Sequence, residues 1–475
     1  MKLCQSQLTA GTRSERASVL IIVLWVCIGL VSIALYFANS MTYELRASDN
    51  RVDGLAADQA IEGAARYVSY VLANYATNGA MPDPSQFACA AVPVGEARFW
   101  LIGRDPSAGI SGASTPGDPY FGLVDESSKF NLNTVNTNML GYLPNMTADF
   151  AEAIQDWRGT NGVVSLDYAS LGYLDKNAPF ETVDELRLVY GANMELLAGD
   201  DLNGNGVLDG NEKDTSGTGE MNYGLFEYTT VWTREPNFHS DGSSLTNVNT
   251  ATQATLQTLL EDSGVSDPVT MARSMYTYVH NGAGGGGGGG GVTSFNNNLD
   301  LAFQCQRLGM SEADFDKISD NVTTSNVTYF RGRVNVNTAS ADVLTALFEG
   351  LNVDNMTASG AAQTLVSYRE QNEGQGTLDS IWWVMDALGN NSPVITALRN
   401  SHANSGGGWV TTKTYQFTAD IAAAGPYGRG YRRVKFIFDT SNGSPIILYR
   451  QDLSGLGWAL GDKVRETLLA SNTAQ

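Results

Sequence analysis

The stretch DLNGNGVLDGNE, Asp201–Glu212, spaces oxygen-bearing side chains as a hard divalent cation requires. Within a twelve-residue loop, Asp201 stands first, Asn203 third, Asn205 fifth, Asp209 ninth and Glu212 twelfth. Gly206 permits a sharp turn at the sixth position, and the Val207 carbonyl supplies an oxygen at the seventh. Leu208 at the eighth gives an apolar contact to the scaffold. Ca2+ takes about six to eight oxygens in flexible geometry, so the pattern points to Ca2+ as a bound cofactor. A loop of Asx turns kept for solubility alone is the alternative. A helix over Thr182–Leu197 is expected to precede the loop. Lys213–Gly219 continues with Gly, Ser and Thr, so no regular second helix is expected, and the ion's role would be structural.

Little else could do chemistry. His239, His280 and His402 lie in unrelated settings, which leaves almost no material for a zinc site or a histidine triad. Of the four cysteines, Cys4 and Cys27 lie in or before an apolar run. Cys89 and Cys305 are thus the only pair that could bridge, and two unrelated buried thiols are an equal reading. No nucleophile–base pair, phosphate loop or cofactor motif is present, and no enzymatic activity is expected. Asp184-Glu185 and Asp200-Asp201 read as a helix surface and a cation loop rather than as hydrolase carboxylates. Trp382-Trp383 reads as core. A net charge of −21 argues against a nucleic-acid partner, which is bound by clustered Lys and Arg.

The elements that position the loop begin with a long helix. Val19–Ala38 carries no charge and is long enough to span the roughly 30 Å hydrocarbon core of a bilayer. Lys2, Arg13 and Arg16 precede it, which places the N-terminus in the cytoplasm and the bulk outside, in a periplasm-like space. No proline interrupts Ser40–Tyr75, and Leu45, Val52, Leu55, Ala56, Ala60, Ala64, Val68, Val71 and Leu72 fall mostly on one helical face. One continuous helix, of about fifty residues and ~75 Å, is therefore expected. Ala97–Gly103, Tyr120–Val124, Thr414–Ile421, Tyr431–Phe438 and Ile446–Gln451 read as strands of an antiparallel sheet. The fold class is α+β: a long N-terminal helix packed on an antiparallel sheet, with a large inserted α-helical domain.

A basic leader, a small residue and the run SVLIIVLWV (Ser18–Val26) resemble the class III signal of type IV pilin-like proteins. In particular they resemble the K-type minor pseudopilin of type II secretion systems (general secretion pathway protein K family). That resemblance implies cleavage by a prepilin peptidase between Ala17 and Ser18, before the apolar run. Pilins commonly have Gly where Ala17 stands, and most carry Glu at the fifth mature position, here Ile22. The K-type subunit lacks that Glu. A carboxylate in the bilayer needs a partner, and a subunit with nothing above it has none. The resemblance thus implies a place at the tip of a pseudopilus in the bacterial inner membrane, with other minor pseudopilins as partners through the helix. Secreted substrate or the outer-membrane channel are further possible partners, and calcium in the inserted domain is also implied.

The inserted region contains an internal echo. KFNLNT (Lys129–Thr134) returns as RVNVNT (Arg333–Thr338), DWR (Asp156–Arg158) as SYR (Ser367–Arg369), and TVDEL (Thr182–Leu186) as TLDSI (Thr377–Ile381). Each unit reads as a strand end entering a helix, with Thr338 as N-cap of the second. The units resemble helix-hairpin-helix modules, which makes a DNA-uptake protein, or a type IV pilus minor pilin, the alternative to a pseudopilin. LGYLPNMTAD and FEGLNVDNMTASG have no GxG and no Lys or Arg, so they lack what a phosphate-binding hairpin needs. The chain then divides into a leader (1–17), the long helix (18–80), first strands (81–130), the first unit with the calcium loop (131–235), a flexible insertion with eight consecutive glycines (236–329), the second unit (330–400) and the last strands (401–475).

Overall fold

The computed structural model describes residues 14–104, 118–159, 168–281, 293–372, 376, 378–403 and 407–470, without the side chains of 14–18 and 281. Helix α1 runs unbroken over Ser14–Tyr75. Among the described residues, its Val19–Tyr75 stretch is the one helix long and apolar enough to cross a membrane. The expected continuity is therefore present, but the buried face begins later than expected. Leu45, Val52 and Leu55 are exposed, whereas Ala57, Ala60, Ile61, Ala64, Val68, Val71 and Leu72 are buried. The docked half places Ala57, Ala60, Ala64 and Ala65 among its buried contacts, small side chains that let the helix axis lie close to a sheet. Strands β1 (Val92–Val94), β2 (Ala97–Ile102) and β3 (Val124–Asp125) follow α1. The strand expected at Tyr120–Val124 is displaced to β3, with only an isolated bridge between Phe121 and Ile102.

Three helical units then follow, rather than the two read from the sequence. The first comprises β4 (Phe130–Asn131), α2 (Thr137–Gly141), α3 (Ala148–Arg158), α4 (Met194–Ala198), α5 (Leu225–Tyr228) and β5 (Thr229–Thr230), and β4 pairs with β5 in parallel. Strand β6 (Arg234–Pro236) leads into the second unit: β7 (Thr246–Asn247), α6 (Gln253–Asp262), α7 (Pro268–Asn281), α8 (Asn298–Arg307), α9 (Glu312–Ser319) and β8 (Val322–Thr323). Strand β9 (Tyr329–Arg331) returns antiparallel to β6 and frames that unit. The third comprises β10 (Val334–Asn335), α10 (Ala341–Gly350), α11 (Asn355–Gln371), α12 (Trp383–Leu388), α13 (Pro393–Asn400) and β11 (Val410–Thr411). Again β7 with β8, and β10 with β11, pair in parallel.

The asparagines explain why these entries look alike. In each unit the first Asn uses its side-chain oxygen to accept the amide of the second, Asn131 from Asn133, Asn247 from Asn249 and Asn335 from Asn337, at 2.9, 2.9 and 3.0 Å. This Asx turn bends the strand end into the following helix. The second Asn reaches across to a later segment: its amide donates to the carbonyls of Phe180, Phe295 and Leu378 at 2.9, 3.0 and 2.9 Å. Arg158 and Arg369 then donate to main-chain carbonyls of their own units' entries. The second unit has no arginine there, and buries Val279 near the end of α7. The stretch expected as a flexible insertion is thus a folded unit whose Leu256, Met275, Leu299 and Phe315 sit in one core with the other two. Its polyglycine run, Gly284–Gly291, lies outside the described residues.

Strands β12 (Gln416–Ala424), β13 (Arg432–Asp439) and β14 (Ile446–Asp452) complete a six-stranded antiparallel sheet in the order β1-β2-β12-β13-β14, with β3 also on β12. Alternation along the strands separates two faces. Phe99, Leu101, Phe417, Ala419 and Ile421 meet α1, while Trp100, Ile102, Ala422 and Ala424 face the chain's end at Ala459 and Leu460. The last element among the described residues is α14 (Gly461–Ala470). Where the β12–β13 connection rides over α1, Gly430 has φ +65°, and a Cβ there would lie 2.3 Å from the Asp53 carbonyl carbon. Only glycine fits that crossing, and it marks the level at which α1 becomes buried. Cys89 lies in the sheet core and Cys305 in the helical core, so the pair does not bridge. Trp382 and Trp383 are core, as expected.

Candidate metal centre

The loop Asp201–Glu212 connects α4 to the return strand of the first unit. The single helix expected over Thr182–Leu197 is instead a 3-10 turn (Val183–Leu188) followed by α4. Gly191, at φ +87°, separates the two. Asp201 behaves as the first residue of a cation loop should: Oδ1 accepts the Asn205 amide at 2.9 Å and Oδ2 accepts the Gly206 amide at 2.8 Å. Gly206 takes φ +83°, which supplies the turn. Asp209 Oδ2 accepts the side-chain amides of Asn203 at 2.6 Å and Asn205 at 2.9 Å. Five of the six expected ligand positions, Asp201, Asn203, Asn205, Val207 and Asp209, therefore lie along one closed turn.

Glu212 closes back onto the same loop through the main chain. Its oxygens accept main-chain amides, Oε1 from Leu202 and Asn203 at 2.9 and 3.2 Å, and Oε2 from Asp209 at 3.0 Å. Among the described residues, no three Asp, Glu, His or Cys side chains converge as a metal cluster. The fit of the loop to a cation rests on other features. Asn203 is 5% exposed, and its Oδ1 accepts no hydrogen bond. A buried acceptor without a donor is costly, and this one belongs to an amide already held inside the loop by Asp209. Burial raises the pKa of Asp201 and of Glu212, the latter with help from its acidic neighbours. A cation would relieve both the orphaned oxygen and the crowded carboxylates.

Two arginines bolt the loop to the sheet. Arg433 of β13 is fully buried and grips Asp420 of β12 with Nε at 2.8 Å and Nη2 at 2.5 Å. It also donates to the carbonyls of Asn203 and of Gly204, the latter at 2.7 Å. Arg104, just after β2, donates to the Gly204 carbonyl at 3.2 Å and to Glu227 of α5 at 2.8 Å, with Asp201 Oδ2 at 3.9 Å. Burial opposes the charge on Glu227, but Arg104 and Lys129 still hold its pKa below the ordinary value. Both arginines were missed in the sequence, because each is distant in the chain from the loop. The loop's carbonyl-rich glycine turn was the available signal, since such carbonyls need donors. Ala17 and Ser18 lie on α1, and their side chains lie outside the described residues.

No curated protein matches the chain. A solved assembly, the GspK-GspI-GspJ complex from the enterotoxigenic Escherichia coli type 2 secretion system, contains a chain 10% identical, with a TM-score of 0.37 over 86% of this chain and 99% of that one. Residues 334–398, nearly the whole of the third unit, match the family model of type II secretion system (T2SS) protein K. That match is confined to the third unit.

Proposed function

We propose that this chain is a minor pseudopilin that forms part of the tip of a type II secretion pseudopilus and assists protein export across the outer membrane. The observation that carries this reading is α1. Its first half stands clear of the sheet with Val19–Phe37 exposed and apolar, and its second half is locked to the domain below Asp53. A free apolar half of that length suits a bilayer before assembly and other such helices after it. The partners in this reading are other minor pseudopilins, as in the complex named above, with the prepilin peptidase acting between Ala17 and Ser18. The sheet and the three units would face the periplasm, near secreted substrate or the outer-membrane channel. No step of chemistry is assigned to the chain.

In the same reading the loop holds Ca2+ through Asp201, Asn203, Asn205, the Val207 carbonyl, Asp209 and, after release from the main chain, Glu212. The ion would supply only positive charge and oxygen coordination, tying the loop down where apolar side chains are sparse. The test is co-expression with a prepilin peptidase and with I- and J-type minor pseudopilins, followed by intact mass and co-purification. A mature chain beginning at Ser18 that co-purifies with both partners supports the reading. An uncut chain that purifies alone contradicts it.

A further inference from the structure

The loop touches more than the sheet. The same side-chain amides that sit at its third and fifth positions also approach the end of the chain: Asn203 Nδ2 lies 3.4 Å from the Trp458 carbonyl and Asn205 Nδ2 3.4 Å from the Ala459 carbonyl. Each amide thus has one N–H near Asp209 inside the loop and the other near the C-terminal segment. Asn203 Oδ1 is the orphaned oxygen described above. From Trp458 onward the segment covers the sheet face opposite α1: Ala459 and Leu460 are fully buried against Trp100, Ile102, Ala422 and Ala424, with Trp458, Val464 and Leu468 packed around them. Trp458 lies on Tyr431 at 5.0 Å, and its ring nitrogen donates to the Gly461 carbonyl at 2.8 Å, at the start of α14. Arg433 joins the two sides again. Besides the loop carbonyls, its own amide donates to Ser454 Oγ at 3.0 Å, and its carbonyl accepts the Leu453 amide at 2.8 Å.

Resting on the calcium reading of the loop, we propose that the metal loop and the C-terminal segment 458–470 are coupled, so that cation binding docks α14 on the outer face of the sheet. An ion drawing on the Asn203 and Asn205 oxygens fixes the orientation of both amides, and so fixes the donors aimed at Trp458 and Ala459. Without it, Asn203 can rotate to satisfy its oxygen, and the Trp458 carbonyl loses its donor, while Asn205 stays held by the Val207 amide at 3.0 Å. Linkage makes the effect reciprocal: a docked segment pre-orients the amides and tightens cation binding by the same factor. The effect would make the tail that leads out of the sheet respond to extracytoplasmic calcium.

The test uses the full chain in detergent micelles. Hydrogen exchange is measured with excess CaCl2 and with EGTA, and Ca2+ affinity is measured by calorimetry for the unmodified chain and for Trp458→Ala. The expected result is exchange over 458–470 slowed about tenfold by Ca2+, and affinity about tenfold weaker in the variant. Calcium binding that leaves exchange over 458–470 unchanged overturns the coupling while keeping the metal loop, and needs no variant to fold. A chain that binds no Ca2+ overturns the loop reading and the coupling together.

Discussion

The first and third helical units enter in the same way but close differently. In the third, α13 ends at Asn400 and the return strand β11 begins at Val410, over a core that holds Trp383, Ile395 and Leu398. In the second, α9 ends at Ser319 and β8 follows at Val322. In the first, α4 ends at Ala198 and the short α5, which leads straight into β5, begins only at Leu225, and the connection between the helices is filled with Asp, Asn and Gly. The long return buries Asp200, Asp201, Asn203 and Asn205 where the others bury aliphatic and aromatic side chains. A unit can therefore be closed by apolar packing or by a polar loop wrapped on itself and pinned by arginines. The second solution leans on the neighbouring sheet through Arg104 and Arg433 and, in the calcium reading proposed above, on an ion, whereas the first draws on the apolar core the units share.

This contrast can be broken most strongly in the third unit. Trp383 is completely buried and donates to Asn337 Oδ1 at 3.1 Å. Trp383→Ala is expected to cost about 3–5 kcal/mol in denaturant unfolding, equally with and without calcium. In the first unit the effect should be conditional. Asp201→Ala is expected to cost about 2.7 kcal/mol at a calcium concentration a hundredfold above Kd. In EGTA the cost should be far smaller, and an equal loss in both conditions would remove the contrast. Asn249→Ala sharpens the case that the second unit is a true copy. It removes one donor to Phe295 and one to Thr324, with an expected cost of about 1–3 kcal/mol. No change there would return residues 236–329 to the status of an appended insertion.

The smallest expected effect is a pH slope at the seam between sheet and third unit. Asp125 of β3 accepts the amide of Ser127 and the side chains of Asn335, Thr338 and Thr414. Burial outweighs these donors and pushes its pKa up to about 6. Since the folded value exceeds the unfolded one, the protonated form is favoured by folding. The stability this supplies is complete below the unfolded value, near 4, and is lost as pH rises through about 6. Unfolding between about pH 4 and 6 should show this loss, and Asp125→Asn should flatten it.

Much of this was legible in the residues. The continuous helix followed from the apolar run and the absence of proline, and β2, β13 and β14 followed from alternation close to their true limits. The NxNT entries were legible because an Asx turn is a local device, built from residues two apart. The middle copy, Asn247–Thr250, carried the same letters, yet the glycines and polar residues around it read as a linker. The N-cap expected at Thr338 is Ser340, two residues on, and Thr338 instead serves Asp125. In the candidate metal loop the spacing of Asp201, Asn203, Asn205 and Asp209 was readable. The engagement of Glu212 with main-chain amides was not, since it depends on how tightly the loop closes.

By itself the sequence determined the elements whose causes are local: helix length, strand alternation, the Asx-turn entries and the order of oxygen-bearing side chains along the loop. Periodicity and hydrogen bonds between near neighbours act within a few residues, so their outcome is written in consecutive letters. Only the tertiary structure decided that three units share one core, that α1 is buried only from Asp53 onward, and that Arg104, Arg433 and the chain's end all meet the loop. Those contacts join residues from 100 to more than 250 positions apart. They arise because buried carbonyls and carboxylates must find donors wherever the packed chain brings them.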